Sequence, residues 1–234
     1  MSDAASQCTK IESEKTRDKE VSWALLPYVE QNTILPEFYE RKRTFHFAGH
    51  SIEIEQDWQN LGVAGVVWDA AIVLCRYLEE GKINVRGKAI MELGAGSGIV
   101  GILAALLGGR VTITEREVAM PYLSSVVNAN MENKPDIKAV TMVQQLDWEK
   151  DLDKYDETFD VILGADVIYI EDVFPALLKT LEKLSDKRTE IYISCRIRYE
   201  RDRRFLQMLK DKFIVSKVYV DIDKDVRIYK AIKR

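Results

Sequence analysis

The sequence predicts an α/β fold built on one mostly parallel sheet of seven strands, with helices on both faces. Three observations carry this. From residue 65 onward, short apolar runs alternate with longer ones at helical period, the pattern of repeated strand–helix units. A glycine cluster, Gly94-Ala95-Gly96-Ser97-Gly98, separates the first of these strands from the helix after it. The last two strand-like runs are joined only by Asp221-Ile222-Asp223-Lys224-Asp225, too short for a crossover helix, so they should pair antiparallel.

Taken in order, residues 1–20 mix Lys10, Lys15, Arg17 and Lys19 with Glu12, Glu14, Asp18 and Glu20, and read as a disordered tail. Residues 21–64 form an N-terminal extension. Its irregular lead-in runs from Trp23 to about Pro36, and apolar and polar residues then alternate from Phe45 to Ile54 on both sides of Ala48-Gly49, as in a β-hairpin. Residues 65–80 read as a largely buried helix with Gly81 as its stop. A strand over 88–93 follows, then a helix over 99–107 ended by Gly108-Gly109. Next come a strand over 110–114, a helix over 118–131, and strands over 138–143 and 159–164. The chain finishes with a helix over 173–184, a strand over 190–195, a helix over 199–210, and strands over 213–220 and 226–231. Residues 65–234 make up the main domain.

A chain of 234 residues with 47% hydrophobic residues can bury a substantial core. Its net charge of -4 argues against a general polyanion binder, so no nucleic-acid partner is expected. Cys8, Cys75 and Cys195 are far apart and form no CxxC pair, which suggests neither a disulfide framework nor a zinc site. His46 and His50 flank the hairpin turn without further ligands nearby, and no metal is expected. No apolar run is long enough to span a bilayer and no signal-peptide core is visible, so the expected setting is the cytoplasm, with the nucleus as a second setting, and without a membrane. The fold needs no partner to bury its core, which makes a monomer the simplest expectation.

In open α/β sheets ligands bind at the carboxyl ends of the strands, where the glycine cluster lies. Its glycines let the backbone approach a ligand, and the N–H groups of the next helix favour an electronegative partner. Strand 110–114 leads into Glu115, about 20 residues beyond the first glycine, where a carboxylate can accept both hydroxyls of a ribose. An adenosine-containing cofactor follows. The GxGxG spacing, the acidic Glu92 two residues before Gly94, and the late antiparallel pair favour a methyl donor, S-adenosyl-L-methionine, over a dinucleotide. The corresponding architecture is the Rossmann-like seven-β-strand methyltransferase sheet.

Strand 159–164 runs into Ala165-Asp166-Val167-Ile168-Tyr169, an Asp-x-x-Tyr group that resembles the family-16 protein-lysine methyltransferases. The stretches Gly62-Val63-Ala64-Gly65-Val66-Val67-Trp68-Asp69-Ala70-Ala71 and Cys195-Arg196-Ile197-Arg198-Tyr199-Glu200-Arg201-Asp202 are similar to the methyltransferase-like 21 subfamily, and within it to enzymes acting on 70-kDa heat shock chaperones. Similarity runs from about Thr44 to Lys233. The resemblance implies a protein-lysine N-methyltransferase with such a chaperone as its protein partner. It implies donor contacts from Trp68, Glu92, Gly94, Ala95, Gly96, Glu115, Trp148 and Ala165, with Glu115 standing where relatives usually carry Asp. Trp68 and Trp148 are open to a second reading as core packing residues.

Asp166 and Tyr169 are the candidate catalytic pair. The acceptor lysine, with a free pKa near 10.4, must lose its proton before attack. Asp166 would orient the incoming ammonium, and Tyr169 would supply a hydroxyl and an aromatic wall. Alternatively Asp166 is a helix N-cap. The segment containing Arg196, Arg198, Arg201, Arg203 and Arg204 either docks an acidic partner surface or forms a solvated helix face. Three rival functions remain: a nucleic-acid or amide methyltransferase, a nicotinamide-dependent oxidoreductase, and a non-catalytic chaperone-binding module. The first is disfavoured because Val167-Ile168 stands where two prolines are expected, and the second by the loop spacing.

Overall fold

The computed structural model describes residues 36–234. The tail and most of the lead-in expected from the sequence lie outside these residues. The chain enters through a hairpin, β1 (Lys42–Phe47) and β2 (His50–Glu55), paired antiparallel from Lys42↔Glu55 to Phe47↔His50. Its two-residue turn places Ala48 at φ 49° and Gly49 at φ 76°. This is the left-handed pair that matches the twist of the flanking strands. The alternation that predicted the hairpin buries Phe47, Ile52 and Ile54 in the main core.

A short helix α1 (Trp58–Leu61) and a 3-10 turn over Gly62–Gly65 precede α2 (Asp69–Glu79). The expected helical start at residue 65 is therefore four residues early. Gly62–Gly65 already turns as a 3-10 segment, and Val66, at φ -135° and ψ 161°, breaks it from α2. At the other end Gly81, at φ 69°, donates to the Leu78 carbonyl while the Lys82 N–H donates to the Tyr77 carbonyl. That pair of bonds is the glycine stop expected from the sequence.

Strands and helices then alternate: β3 (Ala89–Leu93), α3 (Ile99–Leu106), β4 (Arg110–Glu115), α4 (Met120–Met131), α5 (Pro135–Lys138) and β5 (Thr141–Gln145). β6 (Val161–Ala165), α6 (Phe174–Lys183), β7 (Glu190–Cys195), α7 (Glu200–Lys212), β8 (Phe213–Asp221) and β9 (Val226–Lys233) complete the chain. The strand expected from residue 138 begins only at Thr141, because Pro135 opens the one-turn helix α5.

The sheet order is β5-β4-β3-β6-β7-β9-β8. Its pairings are parallel from β5 through β7, and β9 is antiparallel to both β7 and β8. Period-two alternation divides the core between the two faces. Ile90, Val111, Ile113, Val161 and Leu163 pack with α2, α3, α4 and the hairpin. Met91, Leu93, Ile162, Ile191 and Ile193 pack with α6 and α7. Ile113 is wholly buried between β4 and the helices, so truncating it to alanine should cost about 2–5 kcal/mol. The order jumps from β4 and β3 on one side to β6 on the other, so the carboxyl ends of β3, β4 and β6 flank a crevice. Among the described residues no single helix is long and apolar enough to cross a membrane.

Candidate active site

Three positive-φ glycines shape the loop between β3 and α3, and at two of them a side chain would crowd the walls of the site. A Cβ on Gly94, at φ +57°, would lie 3.1 Å from Val167 Cγ1 and 3.3 Å from Trp148 Cζ2. On Gly96, at φ +53°, it would lie 3.2 Å from the Ala64 carbonyl oxygen, which belongs to the 3-10 turn before α2. The loop is thus roofed by the Gly62–Gly65 turn on one side and walled by Trp148 on the other.

Two carboxylates hold the loop. Glu115, at the end of β4, accepts from the Gly96 N–H at 2.9 Å and from the Arg116 N–H at 2.8 Å. Glu92, on β3, is buried and accepts from the Gly101 N–H at 2.9 Å. That bond modifies one expectation from the sequence: the Gly101 N–H of the first turn of α3 meets a protein carboxyl rather than standing free for a ligand. Burial pushes the Glu92 acid up to about 8, against the lowering effect of the Gly101 bond and with further raising by Glu115.

Trp68 precedes α2 as its N-cap rather than sitting within the helix. Its indole N–H donates to the Val63 carbonyl at 2.9 Å, and its ring meets Phe38 edge-on at a centroid distance of 4.9 Å. Trp148 lies in the turn after β5 and packs against the second core. Asp151 closes that turn, accepting from the Asp147 N–H at 3.0 Å, Gln145 Nε2 at 2.9 Å and Lys154 Nζ at 2.7 Å. The Lys154 bond leads these contacts in holding the Asp151 acid down at about 2. Both tryptophans are half-buried and line cavities, so each serves packing and pocket together.

Asp166 follows β6 directly in the left-handed region, at φ 54°, with its N–H donating to the Ser194 carbonyl at 2.8 Å. No helix starts there, which removes the N-cap reading: the next helical turn begins at Glu171. Both Asp166 oxygens are engaged by Arg198, through Nη1 at 3.2 Å and Nη2 at 3.1 Å. Tyr169 has its phenol pushed up to about 12, by burial first and by Glu115 next, so it is a protonated hydroxyl at neutral pH.

Two neighbouring cavities form one cleft. The first is lined by Trp68, Glu92, Gly94, Ala95, Gly96 and Ala165 among others, and the second by Trp148 and its turn. Gly94, Glu115, Arg116, Asp166 and Tyr169 line both. The structure therefore brings together all ten residues singled out from the sequence. It adds Arg116, Ala64 and Arg198, which sequence reasoning did not place in the site. Arg116 was signalled only by its position after Glu115. Arg198 was grouped with an arginine-rich segment, but most of that segment is paired within the protein. Arg196 bonds the Lys224 carbonyl, and Arg204 holds Glu171 at 2.6 Å. Arg203 faces Glu200, and Arg201 lies near Asp202 and over the Tyr199 ring.

The cleft fits S-adenosyl-L-methionine on its own chemistry. A buried carboxyl at Glu92, to which no cationic side chain among the described residues is bonded, suits a positively charged ligand. Glu115 supplies acceptors for hydroxyls, the glycines leave room that a Cβ would fill, and the Trp148 face offers a stacking wall for an adenine.

Comparison with known proteins agrees with this geometry. A family model described as lysine methyltransferase matches residues 46–212. The chain is 54% identical over 213 residues to protein N-lysine methyltransferase METTL21A of Mus musculus, covering 90% of this chain and 97% of that protein. It is 41% identical to EEF1A lysine methyltransferase 3 of Mus musculus, over 82% of this chain and 83% of that one. Among solved structures, the 16S rRNA methyltransferase RsmC of T. Thermophilus, in complex with AdoMet and guanosine, superposes with a TM-score of 0.61. At 20% identity over 83% of this chain and 50% of that one, the likeness is one of fold.

Proposed function

On the premise that this chain belongs to the lysine methyltransferase family, we propose that it transfers methyl groups from S-adenosyl-L-methionine to a lysine of a 70-kDa heat shock chaperone. The enzyme class is that of an S-adenosylmethionine-dependent protein-lysine methyltransferase. The chaperone as substrate rests on the resemblance carried by the long stretches around Trp68 and Arg198, and the lower identity to the EEF1A enzyme than to METTL21A speaks against elongation factor 1A. The observation that carries the site assignment is the position of Asp166, which lines both lobes of the cleft beside the glycine loop.

The donor supplies a methyl carbon activated by its bond to a sulfonium. The chain's own residues do the rest. Glu115 and the glycine loop would hold the adenosine, Trp148 and Trp68 wall the cleft, and Glu92 would balance positive charge. Asp166 and the protonated Tyr169 hydroxyl orient the acceptor nitrogen. Its lone pair would form the new N–C bond while the C–S electron pair stays with sulfur, so that the positive charge passes to nitrogen. Alignment of the two reactants supplies most of the acceleration.

Incubation with purified 70-kDa chaperone and methyl-labelled donor, followed by peptide mass spectrometry, tests the substrate. Label on a chaperone lysine is the expected result. Label absent from every chaperone lysine overturns the substrate assignment, and label on elongation factor 1A in a parallel reaction would replace it.

A further inference from the structure

A third cavity, about 230 Å³, lies on the other side of Asp166 and Arg198 and is lined by Glu37, Phe38, Arg43, Asp69, Arg196 and Lys224 together with Trp68. Among the described residues Asp166 alone lines all three of these cavities. The two lobes beside the glycine loop are assigned to the donor, and the third, which shares Trp68, Asp166 and Arg198 with the first, offers a path for an acceptor side chain. At the partition stands the two-pronged Asp166–Arg198 pair, its side chains 11% and 18% exposed.

The position of that pair raises a problem of protonation. A free carboxylate facing an incoming lysine would stabilise its ammonium form, which has no lone pair for attack. A carboxylate already neutralised by a guanidinium removes most of that effect and can still accept an N–H from a neutral amine. We propose that Arg198 is a positioning residue of the transfer reaction: by holding both oxygens of Asp166 at the mouth of the third cavity, it keeps the acceptor amine neutral and nucleophilic. This rests on the lysine-transfer reading above and deepens it.

The surrounding charges do not replace Arg198 in this role. On the donor side the pair faces Glu115, Arg116 and the Tyr169 hydroxyl. Behind it stand Cys195, Asp202 and Arg227, with Asp202 accepting the Arg198 backbone N–H at 2.8 Å. In the third cavity Asp69 is itself paired with Arg196 and Lys224, which leaves Glu37 and Arg43 as the remaining charges of its lining.

The test compares Arg198→Met and Arg198→Lys with the unaltered enzyme, with Arg203→Ala as a surface control. With chaperone as acceptor, Arg198→Met should lower kcat at neutral pH about tenfold, lower the acceptor KM, and move the kcat–pH profile to higher pH by about one unit, as a bare carboxylate raises the acceptor pKa. Arg198→Lys should keep the profile near its original position. Parallel loss of rate at every pH in both variants, with the profile unmoved, overturns the proposal.

A second measurement does not depend on the protein substrate. The probe is a donor analogue with carbon at the sulfur position, bearing a five-carbon arm that ends in an amine. Calorimetry in two buffers of different ionisation heat counts protons released on binding, relative to the same compound with a methyl-terminated arm. The unaltered enzyme should release about one proton per probe and Arg198→Met markedly less. Equal proton counts overturn the role of Arg198. Failure to label the chaperone, with the proton counts as expected, overturns the substrate assignment alone.

Discussion

The carboxylate of Glu115 accepts the N–H of Gly96 at 2.9 Å, which ties the glycine loop to the end of β4. The proposed contact with ribose hydroxyls uses the same carboxylate. Glu115→Ala should therefore weaken binding of S-adenosyl-L-methionine by more than tenfold, the order of one lost bond to a charged group. Glu115→Gln keeps an acceptor oxygen for Gly96 and should lose less. Equal losses in calorimetry would show that charge matters more than the tie to the loop.

Gly96→Ala puts a methyl group 3.2 Å from the Ala64 carbonyl at a φ of +53°. Left-handed strain of roughly 1 kcal/mol and the displaced roof of the cleft should act together. Thermal unfolding should occur a few degrees lower, and donor affinity should fall by a larger factor than stability does. Unchanged affinity would place the ligand away from this loop.

Asp166→Ala should reduce transfer to lysine roughly 100-fold or more, the scale of one misplaced electrostatic group in a site. Donor affinity should stay close to that of the parent protein, because no donor-binding bond is assigned to this carboxylate. Asp166→Asn tolerates the left-handed backbone and separates loss of charge from loss of conformation. Retained turnover in the alanine variant would remove Asp166 from the mechanism.

Glu92 sets a pH dependence whose sign follows from burial. Its acid lies at about 8 in the folded protein against an ordinary value of 4.5, so the folded state holds the proton more tightly. The associated stability is complete below pH 4.5 and is lost as pH rises to about 8. Cationic donor binding runs the other way, since it favours the ionised carboxylate, and affinity should increase over the same window. S-adenosylhomocysteine, which lacks the sulfonium charge, should show a smaller increase. Glu92→Gln, still able to accept from Gly101, should flatten both trends in unfolding and titration experiments.

Asp151 touches no ligand cavity, yet its three bonds shape the turn that carries Trp148. Asp151→Ala should weaken donor binding severalfold through this turn while leaving α6 and α7 intact. Its effect should match that of Trp148→Ala in direction, and a double variant should lose less than the sum of the two, since both act on one wall.

Much of the fold was legible because its signals are local. The alternation from Phe45 to Ile54 appears as a hairpin, Gly81 as a helix stop, and Glu190–Cys195 as a strand with the expected ends. Boundaries failed where a local turn competed with the general pattern, at Gly62–Gly65 and at Pro135. At the site, glycine spacing and the flanking acids pointed to the loop, Glu92 and Glu115, while Trp68, Trp148, Ala165, Asp166 and Tyr169 were chosen by resemblance to a family; all of them line the cleft. The partners of those residues were not legible. Glu92 bonds Gly101 nine positions away, and Asp166 bonds Arg198 thirty-two positions away.

By itself the sequence determined most of the order of strands and helices and the glycine loop, because periodicity and turn chemistry act over a few residues, and it carried in Asp166–Tyr169 a short motif that could be compared with a family. Only the tertiary structure decided the protonation and pairing of the site. Burial raised the Glu92 acid, and the third cavity and the arginine facing Asp166 exist only once β6, β7 and the hairpin are brought together. These are through-space effects of dielectric and charge, and no run of neighbouring residues encodes them.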